Sequence, residues 1–179
     1  GPMPRRMTGT RVTWTIVGLL LAALGGLVYQ QKDAWRAPFT GRVVTVADGD
    51  TLGVLRGARE VRVRLYGVDC PERSQPHGVA AKQFTSAHCF NRDVEVKVLD
   101  KDRYGRIVGE VILPDGSSLN RLLVEAGLAW WYRQYSKDRS FGELEAQARK
   151  ARRGLWADRN PEPPWEYRER ERERGGRAP

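Results

Sequence analysis

Histidine and cysteine are scarce in this chain, with only two of each among its 179 residues. A structural zinc site takes four ligands, nearly always cysteine and histidine, so the small number of both excludes a zinc cluster of this kind. His77 and His88 stand alone in the sequence, and we expect neither to bind a metal. Cys70 and Cys89 leave two alternatives open, a disulfide in an oxidising compartment or two free thiols.

The chain has no internal repeat and a single long hydrophobic run. This run covers residues 12–29, contains no charged residue and follows three arginines. At 1.5 Å per residue, a helix of this length spans about 27 Å, which is close to the thickness of a bilayer core. We therefore expect a transmembrane signal anchor or a signal peptide at 12–29. A buried helix in a soluble fold is a third interpretation.

The arginines before this run predict that residues 1–11 stay in the cytoplasm, because positive charge tends to remain on the inner side of a membrane. The chain from residue 30 onward would then be periplasmic or extracellular, and it would be secreted if the apolar run is cleaved. Gly1 and Pro2 precede the first methionine, and we expect them to be remnants of cloning. Residues 30–40 show no periodicity and are expected to form a linker.

Residues 41–157 are predicted to form one α+β domain in which β-structure predominates, preceded by the N-terminal hydrophobic helix. Five strand-like runs alternate with turns that contain glycine or aspartate, which suits a five-stranded OB-type Greek-key barrel. These runs cover residues 43–47, 51–55, 61–67, 94–99 and 107–113. Helical spacing predicts about three helices, at residues 79–90, 119–126 and 140–154. Ser140 and Glu143 have the spacing of a capping box at the start of the third helix.

The chain carries a large positive charge, and its C-terminal tail is rich in arginine. The formal net charge is +9 at pH 7, which favours a polyanionic partner such as nucleic acid. The tail, residues 158–179, is rich in proline and then alternates arginine with glutamate from Arg168 to Arg174. Such alternation is compatible with a solvated helix held by local ion pairs. We expect instead that the last ten residues are disordered.

Three short motifs bring acidic and basic residues together within the predicted domain. They are D-G-D-T at 48–51, R-L-Y-G-V-D-C-P-E at 64–72 and D-R-Y-G-R at 102–106. Each motif alone is typical of a turn or a half-buried strand, but their occurrence in this order favours a shared site. Carboxylate oxygens suit a hard cation such as calcium, and guanidinium groups match phosphate oxygens. The combination predicts a metal-assisted attack on a phosphodiester.

The three motifs resemble those of the staphylococcal nuclease (thermonuclease) family, and the resemblance extends over about residues 41–156. It implies a bound Ca²⁺ ion with Asp50 and Asp69 as ligands. The main-chain carbonyl of Cys70 would be the third ligand. The founding member of the family has threonine at the position of Cys70, and a ligand supplied by the backbone tolerates this change.

The same resemblance implies the catalytic roles. Glu72 would be the general base that activates a water molecule. Arg64 and Arg106 would hold the phosphate and stabilise the charge that develops on it. Arg103 stands where the founding member has lysine, which leaves the positive charge in place.

The segment G-L-A-W-W-Y-R-Q-Y-S at residues 127–136 interleaves aromatic side chains with a cation, as expected of a surface on which unpaired bases stack. The alternative is that its two tryptophans belong to the core. The resemblance implies that Tyr135 belongs to a nucleotide pocket and that Arg133 or Tyr132 stands where the family has another tyrosine. It also implies that Tyr104 is a further substrate-binding residue. The tail segment N-P-E-P-P-W-E-Y-R at 160–168 resembles an extension of bacterial family members, and we expect its Trp165 to lie along the domain.

Together these features predict a calcium-dependent endonuclease, a hydrolase that cuts DNA and RNA and prefers single-stranded or locally opened strands. Low sequence specificity is expected, because base recognition needs directed donors and acceptors and no such array is visible. The alternative is a catalytically inactive nucleic-acid-binding OB module tethered to the membrane. A membrane-tethered adaptor domain would explain the apolar run but not the carboxylates. No protein partner is inferred.

Overall fold

In a computed structural model of the protein, the described residues are 34–176 together with Val17, Leu19 and Ala22. The membrane segment predicted at 12–29 lies outside the described residues except at those three positions, and so does the predicted cloning remnant. Among the described residues, no helix combines the length and the apolar character that a membrane crossing requires. The chain divides into two compact units, residues 1–37 and 38–179. The domain described below belongs to the second unit.

Seven strands occur in the second unit, and five of them close into a barrel. In chain order they are β1 (Phe39–Asp48), β2 (Thr51–Arg56), β3 (Arg59–Leu65), β4 (Val68–Asp69), β5 (Asp93–Lys101), β6 (Ile107–Ile112) and β7 (Trp130–Trp131). The order around the barrel is β1-β2-β3-β6-β5, and β4 pairs with β7 in a separate two-stranded sheet. Strands β3 and β6 run parallel, whereas the other barrel neighbours are antiparallel. The prediction of a five-stranded OB-type barrel is confirmed.

Valine side chains fill the interior of the barrel. Each barrel strand contributes at least one that is fully buried: Val43, Val54, Val63, Val96 and Val111. Alternate residues of a strand point to opposite faces, and β-branched side chains pack well on such a pleated surface. In β5 and β6, the alternation of buried with more exposed residues therefore identifies the face of the strand that is turned toward the core, whereas the first four residues of β2 are all buried.

Four helices surround the barrel. They are α1 (Gly78–Cys89), α2 (Leu119–Glu125), α3 (Arg139–Lys150) and α4 (Pro164–Gly175). Helix α1 packs on β1, and α2 packs against α3. The three predicted helices are confirmed, although α3 ends four residues before the predicted end and a short 3-10 helix follows at Gly154–Ala157.

The start of α3 differs from the sequence prediction. Asp138, and not Ser140, is the N-cap residue, because its Oδ1 accepts a hydrogen bond from the Ser140 N–H at 3.0 Å. Asp138 is also held by Arg121, whose Nη2 lies 3.0 Å from Asp138 Oδ2. A carboxylate that caps the helix and pairs with an arginine is better fixed than a serine hydroxyl two residues later.

The end of the chain also differs from the prediction, since a helix stands where disorder was expected. Helix α4 continues to Gly175 and begins with a proline, a residue that suits the first turn of a helix. The ring of Trp165 lies parallel to that of Tyr132, with 5.4 Å between the ring centroids. Alternating arginine and glutamate give α4 no apolar stripe, so the periodicity of α4 did not predict this docking. Residues 177–179 lie outside the described part of the chain.

A small second core lies beneath α4. Trp130 is 7% exposed and Trp156 is 6% exposed, and their ring centroids are 4.5 Å apart in an edge-to-face arrangement. The ring of Trp165 completes the cluster, 5.6 Å from that of Trp130. The interpretation of Trp130 as a core residue therefore holds, whereas Trp131 is only partly buried.

Candidate active site

Two of the predicted metal ligands, Asp50 and Asp69, are buried side by side at strand ends. Asp50 directly precedes β2 and is 5% exposed, and Asp69 ends β4 and is 1% exposed. The backbone N–H of Cys70 donates a hydrogen bond to Asp50 Oδ2 at 2.6 Å. This bond ties the two carboxylate-bearing turns together, so the first two motifs form one site.

Gly49 of the first motif is required by the close approach of these turns. A Cβ atom at this position would lie 2.8 Å from the Cys70 sulfur and 2.8 Å from the Cβ of Ala81. The Gly49 carbonyl accepts a hydrogen bond of 2.6 Å from the Thr85 hydroxyl on α1. The glycine of D-G-D-T therefore lets α1 support the turn that contains Asp50 directly.

Arg64 bridges the two aspartates. Its Nη1 lies 2.9 Å from Asp50 Oδ2, and its Nη2 lies 2.9 Å from Asp69 Oδ1. The side chain of Arg64 is only 16% exposed, and Nη1 also donates to the Val68 carbonyl at 3.0 Å. The structure thus brings together Arg64 and both of the predicted aspartate ligands.

The electrostatics of this group disfavour the ionised form of Asp50. Its pKa is raised to about 8; burial is the main cause, Arg64 opposes the shift, and the carboxylates of Asp48 and Asp69 add to it. Burial acts to lower the pKa of Arg64, but Asp50 and Asp69 outweigh it and keep the arginine charged. A cation bound beside Asp50 would stabilise its ionised form.

The donor atoms at this place fit a hard cation. Carboxylate and carbonyl oxygens are the ligands that calcium takes in proteins. The third predicted ligand is the Cys70 carbonyl. It accepts no hydrogen bond from any residue that the structure describes. Across the same residues, no three side chains of histidine, cysteine, aspartate or glutamate converge into a metal-binding cluster. The predicted site therefore depends on two carboxylates and one main-chain oxygen.

Glu72, the predicted base, lies at the edge of this group. Its side chain is 38% exposed, and its backbone N–H donates to Gln75 Oε1 at 3.1 Å. The carboxylate oxygen Oε1 lies 2.8 Å from Nη1 of Arg168, a residue of α4. Nη1 and Nη2 of Arg168 also lie 3.3 Å and 2.8 Å from the Oδ1 and Oδ2 atoms of Asp69.

Arg168 is the member of the site that the sequence did not predict. It is one of several arginines in an alternating run, and the tail that contains it resembles no part of the three motifs. Arg168 directly follows Tyr167 at the end of the segment 160–168, but this position does not by itself predict a contact with the carboxylates. Only the docking of α4 brings its side chain to the carboxylates.

Arg106, the second predicted phosphate ligand, forms no ion pair with Asp50, Asp69 or Glu72 in the part of the chain that the structure describes. Its Nε pairs with Asp102 Oδ2 at 2.7 Å, and Asp102 Oδ1 accepts the backbone N–H groups of Tyr104 and Arg106. Against the effect of burial, these hydrogen bonds lower the pKa of Asp102. The Nη1 and Nη2 atoms of Arg106 donate no hydrogen bond to another described residue, so they are free to bind an anion.

The predicted substrate-binding residues lie on the surface. Tyr104 is 70% exposed and Tyr135 is 64% exposed, and Arg133 is exposed as well. The guanidinium of Arg133 lies 4.8 Å from the ring of Trp131, and the ring of Tyr135 lies 4.7 Å from that of Tyr132. These aromatic faces are accessible for stacking with bases.

The remaining predictions concern cysteine and histidine. Cys70 and Cys89 are both buried and free, which decides against a disulfide. His77 Nε2 lies 2.9 Å from Asp158 Oδ2, and His88 Nδ1 lies 2.8 Å from the Phe84 carbonyl. Both histidines make contacts within the protein.

Comparison with protein families identifies the family of this chain. The family model described as Staphylococcal nuclease homologue matches residues 62–158. The matched stretch contains Arg64, Asp69, Glu72 and Arg106, and it ends before α4 begins.

Individual relatives agree with the family match. A protein of Escherichia coli named "Uncharacterized endonuclease" is 42% identical over 134 residues, which cover 75% of this chain and 88% of the relative. A "Micrococcal nuclease" of Shigella flexneri is 40% identical over 145 residues, which cover 75% of this chain and 83% of the relative. "Protein ParB" of Escherichia coli is 40% identical over 157 residues, which cover 82% and 88%. The chain therefore belongs to the staphylococcal nuclease homologues and is a nuclease, an enzyme of the hydrolase class.

Proposed function

We propose that this nuclease is a calcium-dependent endonuclease that hydrolyses the phosphodiester bonds of DNA and RNA with low sequence specificity. The observation that carries the proposal is the buried pair of Asp50 and Asp69, bridged by Arg64, with Glu72 three residues beyond the second aspartate. Burying ionised carboxylates is costly to a fold even beside arginine, and a cation-binding role explains why two of them are buried here.

Asp50, Asp69 and the Cys70 carbonyl would hold the calcium ion, since all three present oxygen atoms. When bound there, the ion would polarise a phosphate oxygen and lower the pKa of a bound water molecule. The change from threonine to cysteine at position 70 leaves this ligand set intact, because the donor is a main-chain atom.

The side chains of the protein would perform the other tasks. Glu72 Oε2 accepts no hydrogen bond from a described residue, so this oxygen can take the proton of the attacking water. Arg106 can turn its two terminal nitrogens toward the phosphate, in the paired geometry that guanidinium offers to oxyanions. Arg64 holds the aspartates and stabilises negative charge that develops beside them.

The exposed aromatic residues support the proposed substrate range. Stacking on Tyr104 and Tyr135 is available to any base that is unpaired, because every base has a flat face. The 2′-hydroxyl that distinguishes RNA from DNA meets no dedicated group in this arrangement. Cleavage of both nucleic acids, with a preference for single-stranded or locally opened strands, is therefore the expected behaviour.

A cleavage assay with and without chelator tests the proposed function. Supercoiled plasmid, single-stranded DNA and RNA are incubated with the purified protein in Ca²⁺, and then in the presence of EGTA. Cleavage of all three that EGTA abolishes supports the proposal. Calcium-dependent binding without cleavage would favour the inactive OB module instead, and cleavage unaffected by EGTA would contradict the calcium assignment.

The metal preference gives a further prediction. We expect Mg²⁺ to support little cleavage at concentrations at which Ca²⁺ is saturating, because Mg²⁺ demands a near-octahedral shell at about 2.0–2.1 Å and gives up water reluctantly. Initial rates measured with each ion after removal of bound metal check this expectation. Equal rates with the two ions would mean that another ligand set operates.

We also propose that the nuclease domain lies outside the cytoplasm, held by residues 12–29 or released after their cleavage. This proposal rests on the apolar run and the arginines before it. A location outside the cytoplasm would also separate a nuclease of low specificity from the nucleic acids of its own cell.

Protease added to intact spheroplasts is therefore expected to digest the domain, because the membrane would not shield it. The digestion is followed by immunoblotting, with a cytoplasmic protein as the control for integrity. Protection until the membrane is permeabilised would reverse the proposed orientation. Recovery in the membrane fraction distinguishes an anchor from a cleaved signal peptide.

A further inference from the structure

The side chains of Asp69 and Glu72 differ in how firmly they are held. Asp69 is 1% exposed, lies in β4 and pairs with Arg64 in addition to Arg168. Glu72 is 38% exposed, and within the described part of the chain Arg168 alone donates to its carboxylate. The orientation of the Glu72 side chain therefore depends on Arg168, whereas that of Asp69 does not.

The loop that follows Glu72 is joined to the C-terminal segment at three more points. Gln75 Nε2 donates to the Glu162 carbonyl at 2.6 Å, and its Oε1 accepts the Glu72 N–H. The hydroxyl groups of Ser74 and Tyr167 lie 2.6 Å apart. The contact of His77 with Asp158 lies at the far end of the same loop. Together with the pair of Glu72 and Arg168, these contacts join the loop to the C-terminal segment at four points.

The aromatic cluster fixes the other side of α4. Trp165 stacks on Tyr132 and meets Trp130 edge to face, and Pro164 is buried at the start of the helix. Arg168 follows Trp165 by three residues, so the two side chains project from neighbouring positions on one helix face. The rings therefore set the position from which the guanidinium reaches the carboxylates.

We propose that Arg168 is a positioning residue of the nuclease reaction, which orients the general base Glu72 and acts on catalysis through it. The proposal rests on the proposed function, in which Glu72 accepts the proton of the attacking water. It adds the C-terminal helix to the catalytic domain as a part that the reaction requires.

The geometry explains how one arginine can orient the base without blocking it. Arg168 engages Oε1 of Glu72 and leaves Oε2 without a hydrogen bond from a described residue. A half-exposed glutamate that lacks such a partner would sample several rotamers. Because proton transfer requires the base within hydrogen-bond reach of the water, a mobile Glu72 would occupy the productive geometry for less of the time.

The variants Arg168→Gln, Arg168→Lys and Arg170→Ala test the proposal. Arg170 is a matched control, since it lies on the same helix, pairs with Glu162 and Glu171, and does not contact the site. We expect Arg168→Gln to lower kcat for single-stranded DNA by about 10- to 100-fold, the usual effect of losing a group that supports a ligand or base. KM should stay near the wild-type value, because the substrate loses no contact. Arg168→Lys should recover part of kcat, and Arg170→Ala should be as active as the wild type.

Two further measurements separate positioning from a merely structural role. Ca²⁺ binding measured by isothermal titration calorimetry should be no weaker in Arg168→Gln, since Asp69 keeps Arg64 and loses a neighbouring positive charge. The double variant Arg168→Gln/Glu72→Gln should be no slower than Glu72→Gln alone, because Arg168 acts through Glu72. Thermal unfolding followed by circular dichroism shows whether each variant is folded, and Arg168→Lys keeps the proposal testable if the glutamine variant is not.

Several results would overturn the inference. Wild-type kcat in Arg168→Gln would remove Arg168 from the reaction, and an equal loss in Arg170→Ala would reduce its role to docking of the helix. A raised KM with unchanged kcat, or a further loss in the double variant, would make Arg168 a direct substrate contact. Absence of calcium-dependent cleavage in the wild type would instead refute the proposed function itself, and the inference with it.

Discussion

Replacement of Glu72 by glutamine is expected to lower kcat by about 10²- to 10⁴-fold, the range over which a general base contributes. Calcium-dependent binding of nucleic acid should remain, because the amide keeps the size of the side chain and its oxygen can still accept from Arg168. The aspartate pair is untouched by the change. The variant should therefore separate binding from chemistry.

Binding of Glu72→Gln is measured by fluorescence anisotropy with a labelled single-stranded oligonucleotide, and cleavage by initial rates on the same substrate. Glu143→Gln is the matched control, since Glu143 is an exposed residue of α3. Loss of binding together with cleavage would indicate that Glu72 takes part in the metal site. Turnover at the wild-type rate would exclude it as the base.

Removal of the arginines should produce losses of similar size with different effects on stability. We expect Arg106→Ala and Arg64→Ala each to lower the rate by about 10³- to 10⁵-fold, as found for arginines that stabilise charge in phosphoryl transfer. Arg106→Ala should fold normally, because Arg106 pairs only with Asp102 in the turn before β6. Arg64→Ala should also lose about 3 kcal/mol of unfolding free energy, since it leaves the buried carboxylate of Asp50 without its arginine partner, whereas Asp69 keeps Arg168.

Initial rates and chemical denaturation of the two variants check both parts of this expectation. Arg42→Ala is a suitable control, because Arg42 forms an exposed pair with Asp93 on the barrel surface. An unfolded Arg106→Ala would show that this arginine serves the fold. Full activity in a folded Arg64→Ala would mean that Arg64 holds the aspartates without contributing to the reaction.

The barrel could be predicted from the sequence because its signals are local. Val94 and Val96 alternate with exposed residues in β5, and this period of two appears in any strand that has one face toward a core. The turns contain glycine and aspartate, whose backbone preferences belong to the residues themselves. The positions of the strands could therefore be predicted from the sequence. The parallel pairing of β3 with β6 could not, because it joins segments that are distant in the chain.

The central part of the site was predictable for a related reason. Asp50 precedes β2, and Asp69 ends β4 just beyond β3, so strand ends that meet in the barrel bring these two residues close together. Arg64 lies opposite Thr51 in the register of β2 and β3. The prediction for Arg106 named a phosphate ligand but could not show that its side chain pairs with Asp102.

The sequence by itself determined the barrel, the motifs and the family, because each depends on residue types at short spacings. The tertiary structure alone decided which arginine of the C-terminal run reaches the carboxylates. Arg168 and Arg170 belong to the same alternating run, yet Arg168 pairs with Asp69, 99 residues away, and Arg170 pairs with Glu162. Docking of Trp165 selects between them, because it fixes the rotation of α4 about its axis. A local pattern that repeats every two residues contains no information about that rotation.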